Sequence, residues 1–161
     1  MNVSRNFRFW VPVIGWLAVI AYESLRLSSA VTGTYLLDVL RWLHLKLSAA
    51  GFAEFHHVLR KLGHVTGYGI LSLLAFRAWF HTLSDGEGKG LRIRCAALAL
   101  MTTLLTAVLD EWHQSFDLAR TSSFRDVGFD MAGGIGFLLA ALFVFRLWRT
   151  RAVEEFEAVP V

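Results

Sequence analysis

Ionisable side chains crowd into one stretch of this sequence, residues 110–126, DEWHQSFDLARTSSFRD. Asp110, Glu111, His113, Gln114, Arg120, Arg125 and Asp126 all fall there, and Asp130 follows inside the next apolar run. A second group opens an earlier apolar run. Its members, Lys61, His64 and Tyr68, are spaced i, i+3, i+7 and so share one face of a helix. These residue types support three kinds of chemistry. Glu111 or His64 can act as a general base or acid. Lys61 and Arg120 can hold an anion, Arg120 bidentately. Glu111 with His64 and His113 offers the imidazole and carboxylate groups that suit zinc.

Each group also has a plain structural reading. Asp110 can be a solvated helix-end residue, and Arg120 can pair with a carboxylate across its loop. Arg125 and Asp126 fit an ordinary helix start, with an acid in the first turn. Ser122 and Ser123 are candidate caps for that helix. As nucleophiles they lack a G-x-S-x-G setting. His56 and His57 are read as surface residues. No HExxH or comparable ligand spacing supports zinc, and the lone Cys95 excludes a thiolate site and any intrachain disulfide. Neither a metal nor a cofactor is expected.

The elements that must carry these groups are apolar. Of the 161 residues 55% are hydrophobic and 18% charged, with a mean hydropathy of +0.50. A soluble domain carries about 25% charged residues, so the composition indicates an integral membrane protein. Net charge is +3 and the basic residues sit at segment ends, which argues against nucleic-acid binding. Four spans are expected: residues 9–27, 58–80, 91–112 and 127–148. The first follows a basic head like a signal peptide but lacks a small-x-small cleavage site, so it is read as retained. Pro12 is expected in its first turn, where proline costs least. The uncharged core of the third span, Cys95 to Leu109, is shorter than the ~20 residues a crossing needs. To reach that length the helix must include Arg92 and Arg94 at one end, or Asp110 and Glu111 at the other. Between the first two spans, Leu36, Leu37, Leu40, Leu43 and Leu47 recur at helical spacing with Asp38, Arg41 and Lys46 among them. This predicts an amphipathic helix lying in the membrane interface. Gly63 with Gly67 is a small-xxx-small pair suited to close helix approach. Ala132, Gly133 and Gly136 give the last span a small-residue face. Residues 1–150 then form one domain, and 151–161 a short charged tail without fixed structure.

Four spans put both termini on one side. Arg5, Arg8, Lys89, Arg92, Arg94, Arg146, Arg149 and Arg151 fall there. With Arg60, Lys61, Arg120 and Arg125 set aside as parts of a site, the positive-inside rule favours cytoplasmic termini. The ionisable groups from three spans then gather at the outer face. Charged residues at membrane depth are costly and are functional candidates by default.

Together these residues resemble the VanZ-like family of small bacterial membrane proteins. Its Lys-x-x-His-x-x-x-Tyr segment matches Lys61, His64 and Tyr68. Its Asp-Glu-x-x-Gln-x-Phe segment matches Asp110, Glu111, Gln114 and Phe116. Arg120, Asp126-Val127, Asp130 and Gly133 continue the match. Leu118-Ala119 stands where the family has Pro-Gly, and Asp130 where Asn is commoner. The resemblance implies the bacterial cytoplasmic membrane, and an association with resistance to the glycopeptide teicoplanin.

Three functions compete. In the first, Lys61, His64, Tyr68, Asp110, Glu111, Gln114, Arg120, Asp126 and Asp130 bind a membrane lipid or an anionic, lipid-linked cell-wall intermediate. In the second, His64 or Glu111 is the base of an interfacial hydrolase or transferase, with Arg120 stabilising negative charge. A transporter ranks last: four spans are few unless the chain forms a homo-oligomer, and the inner ends lack matching polar groups.

Overall fold

The computed structural model describes residues 3–26, 29–84, 90–116 and 123–157. Five helices account for nearly all of them: α1 (Val3–Arg26), α2 (Ser29–Trp42), α3 (Ala49–Leu83), α4 (Leu91–Gln114) and α5 (Phe124–Glu157). No strand occurs among the described residues. Three helices are long and apolar enough to cross a membrane, over Asn6–Arg26, Leu91–Gln114 and Phe124–Arg146. The described residues form an all-α fold, and three of its helices have the length and composition of membrane spans.

The expected second span lies in α3, which is not among those three. Arg60, Lys61, His64, Thr66, Tyr68 and Arg77 hold its mean hydropathy down. Its place in the bundle explains the polarity. α3 packs against α5, α4 and α1, with α5 most extensively, so its polar side chains can face protein. α3 also starts earlier than the periodicity indicated. Ser48 is its N-cap, its hydroxyl accepting from the Gly51 N–H at 3.1 Å. At 1.5 Å per residue its 35 residues reach about 52 Å, well beyond a hydrocarbon core of ~30 Å.

The predicted amphipathic helix is cut short. α2 ends at Trp42, and Leu43 and Leu47 lie beyond it. The Leu45 N–H bonds the Leu40 carbonyl at 2.9 Å and the His44 N–H bonds the Arg41 carbonyl at 3.1 Å. This is a Schellman stop, with His44 at φ 57° in the left-handed position usually held by glycine. α2 buries Leu40 but exposes Tyr35, Val39 and Trp42. Thr32 ties it to α3 through His56 at 2.9 Å. Two further expectations shift. α1 starts at Val3, so Pro12 lies inside the helix and leaves the Arg8 carbonyl without its usual donor. α5 runs on to Glu157, through part of the segment read as an unstructured tail.

Small residues build the core. On α4 the buried positions Cys95, Ala99, Thr103, Ala107 and Glu111 recur every fourth residue, so Glu111 continues the stripe that packs inward. α5 answers with Asp130, Gly133, Gly134 and Leu138. A Cβ on Gly133 would collide with the Val65 carbonyl, and one on Gly69 would collide with the Phe137 ring. The close α3–α5 approach therefore runs through Gly69 and Gly133. Gly63 and Gly67, the predicted seam, have open space where a Cβ would stand. Ala132 and Gly136 are exposed.

Candidate functional site

The ionisable groups meet at one end of the bundle, where α1 ends, α4 ends and α5 begins. The helical face of α3 presents Lys61, His64 and Tyr68 to two neighbours, and each finds a carboxylate there. Lys61 Nζ pairs with Asp126 Oδ1 and lies 4.2 Å from the centre of the Phe129 ring. His64 Nδ1 is 3.3 Å from Asp130 Oδ1. The Tyr68 hydroxyl donates to Asp110 Oδ2 at 3.0 Å. Two of these links join α3 to α5 and one joins it to α4. Glu111 supplies the last connection, Oε2 accepting from the Ser123 N–H at 2.9 Å. That contact holds the start of α5 against the end of α4. The Ser123 hydroxyl accepts from the Arg125 N–H at 3.2 Å, as a cap would.

Burial grades these groups. Asp130 is 1% exposed, Gln114 7% and Glu111 8%. Neither oxygen of Asp130 has an aligned hydrogen bond among the described residues, so the His64 contact is one of proximity and charge. Such a carboxylate is costly to bury. It lies on the Nδ1 side of the imidazole, leaving Nε2 as the other ring nitrogen. His113, Phe116 and Arg125 are exposed. Arg120 and Ser122 lie outside the described residues. No three His, Cys, Asp or Glu side chains among the described residues are placed to hold a metal ion.

Beside the pairs lies a cavity of about 230 Å³. His64, Tyr68, Asp110 and Gln114 line it, as do Gly63 and Gly67, whose missing side chains leave it open. The Gly67 carbonyl also accepts from the Trp16 indole at 2.8 Å, which pins α1 to this wall. Sequence reasoning missed four polar lining residues, Glu23, Ser24, Thr32 and His56, while Arg60, grouped there with the site, also lines it. Glu23 and Ser24 close the first apolar run, a position that gave a weak signal. His56 is half-buried rather than on the surface. Burial, then the charges of Arg60 and His57, push its imidazole below the usual histidine value, and its Nε2 lies 2.9 Å from the Thr32 hydroxyl. A second cavity of about 350 Å³ runs between α1 and α4, lined mainly by apolar residues such as Leu17, Ala21, Leu25 and Leu109.

The family described as VanZ/LLP1 matches residues 9–146, which include every paired residue of this site. The chain belongs to the VanZ/LLP1 family. No curated protein and no solved structure matches it. The match spans α1 to α5, so the domain that the family defines carries the paired residues of α3, α4 and α5 together.

Proposed function

We propose that this VanZ/LLP1 protein is a four-span protein of the bacterial cytoplasmic membrane that binds a lipid or lipid-linked envelope molecule at the polar end of its bundle. In this reading α3 crosses with its neighbours, the termini are cytoplasmic and α2 lies in the outer interface. The observation that carries the proposal is the 230 Å³ cavity, lined by ionisable groups at one end of a membrane-grade bundle. Buried polar groups at membrane depth favour such a role. Lys61, Asp126 and Glu111 hold the helices in register there, and His64, Tyr68, Asp110 and Gln114 meet the ligand. A link to teicoplanin resistance follows if a bound envelope molecule alters antibiotic access.

The test compares wild type with His64→Ala and Asp110→Asn by native mass spectrometry of protein extracted from membranes. Wild type is expected to carry bound lipid that both variants lose while keeping their helical circular dichroism. Folded variants with the same lipid complement as wild type overturn the site. Labelling of single cysteines at Ser115 and Ser84, in a Cys95→Ser background, checks the orientation. Ser115 is expected to react from outside.

The Asp130–His64 contact at 3.3 Å favours one alternative, an interfacial hydrolase or transferase with His64 as base. It predicts that His64→Ala retains lipid and lets it accumulate uncleaved.

A further inference from the structure

The two cavities share three residues, Ile20, Ser24 and Asp110. The apolar groove therefore adjoins the polar chamber. The groove lies where α1 and α4 touch only lightly, and both helices are apolar enough to face lipid. At the junction the Ser24 hydroxyl is shielded from solvent and has no hydrogen-bond partner among the described residues. A buried hydroxyl in that state is one a ligand would satisfy. The chamber wall carries both signs. Glu23 and Asp110 lie on α1 and α4, and Arg60 lies on α3. Such a wall complements a head group bearing a cation and an anion, and suits a purely anionic one poorly.

We propose that the ligand is a phospholipid with a primary ammonium head group, entering sideways from the bilayer between α1 and α4. One acyl chain lies along Leu17, Ala21, Leu25 and Leu109. The phosphate faces Arg60, and the ammonium faces Asp110 and Glu23 past the Ser24 hydroxyl. This rests on the lipid-binding reading above and adds the head-group class and the route.

The experiment is a native mass spectrometry titration of delipidated wild-type protein in detergent. The probes are phosphatidylethanolamine, phosphatidylglycerol and the tail-less glycerophosphoethanolamine. Phosphatidylethanolamine is expected to bind at least tenfold more tightly than either of the others. Asp110→Asn keeps an acceptor for Tyr68, and it is expected to weaken phosphatidylethanolamine at least tenfold, down to the level of phosphatidylglycerol, in line with its expected loss of lipid on extraction. Ala21→Trp, which fills the groove, is expected to weaken both phospholipids about equally. Three results overturn the proposal. Phosphatidylglycerol binding as tightly as phosphatidylethanolamine removes the head-group assignment. Glycerophosphoethanolamine binding as tightly as the intact lipid removes the groove, while the chamber stands. Absence of all binding by folded wild type sinks the lipid-binding reading as well.

Discussion

The two ends of the bundle solve the same problem with different chemistry. At the end formed by the start of α1, the close of α3 and the start of α4, aromatic rings lock the helices. The Trp10 indole donates to Thr82 at 3.1 Å and the Trp79 indole to Thr102 at 3.2 Å. Trp10 and Trp79 meet edge to face at 5.0 Å. Phe9 stacks on His81 at 3.7 Å, with the guanidinium groups of Arg8 and Arg77 at 4.7 and 5.2 Å from its ring. None of these contacts uses a carboxylate. Amphipathic rings serve a membrane interface well because each satisfies its polar atom and buries the rest. The opposite end does the same fastening with Lys61, His64 and Tyr68 on acids, and it leaves a chamber and a buried, poorly bonded Asp130. Among the described residues, the aromatic end is fastened without buried charge. The extra cost at the other end is what the proposed binding site would account for.

That contrast can be broken by moving stability without moving binding. Trp10→Ala removes a half-buried ring and a hydrogen bond, and should cost about 2 kcal/mol in thermal unfolding in detergent. Lipid occupancy should stay at the wild-type level. Loss of lipid by folded Trp10→Ala would mean that the two ends act as one unit.

Gly133→Ala forces a methyl against the Val65 backbone and should destabilise by about 1–3 kcal/mol. Gly136→Ala, in open space on the same helix, should be neutral or stabilising by up to ~1 kcal/mol. Equal melting temperatures for the two variants would show that α3 and α5 do not approach through Gly133. The smallest effect belongs to the Lys61–Asp126 pair. A double-mutant cycle with Lys61→Met and Asp126→Leu should return a coupling of about 1 kcal/mol, typical of a partly exposed ion pair. A coupling near zero would place the pair with the solvated charges.

The shared face of Lys61, His64 and Tyr68 was legible because a helix repeats every 3.6 residues whatever surrounds it. The same logic located the ends of α4 and α5 that meet it. What periodicity could not tell is which acid each base would find, since Asp126, Asp130 and Asp110 lie on two other helices whose rotation is set by packing. Gly63 and Gly67 show the same limit. Their spacing is that of a seam, yet their side of α3 faces the chamber, and the seam runs through Gly69 and Gly133. The early start of α3 was hidden because residues 49–57 carry no apolar stripe long enough to mark a span. A single serine cap decides that boundary.

The length of α3 has a consequence for the membrane around it. A helix of about 52 Å cannot be submerged in a ~30 Å core. With α3 crossing as proposed, its first turns stand clear of the hydrocarbon, and they carry His56 and Arg60 at the chamber mouth. The height of that mouth above the lipid tails then depends on bilayer thickness. A thicker bilayer would bring the acyl region up to the charged wall, and a thinner one would lift the wall into water. The protein's grip on lipid would then vary with the thickness of the membrane that holds it.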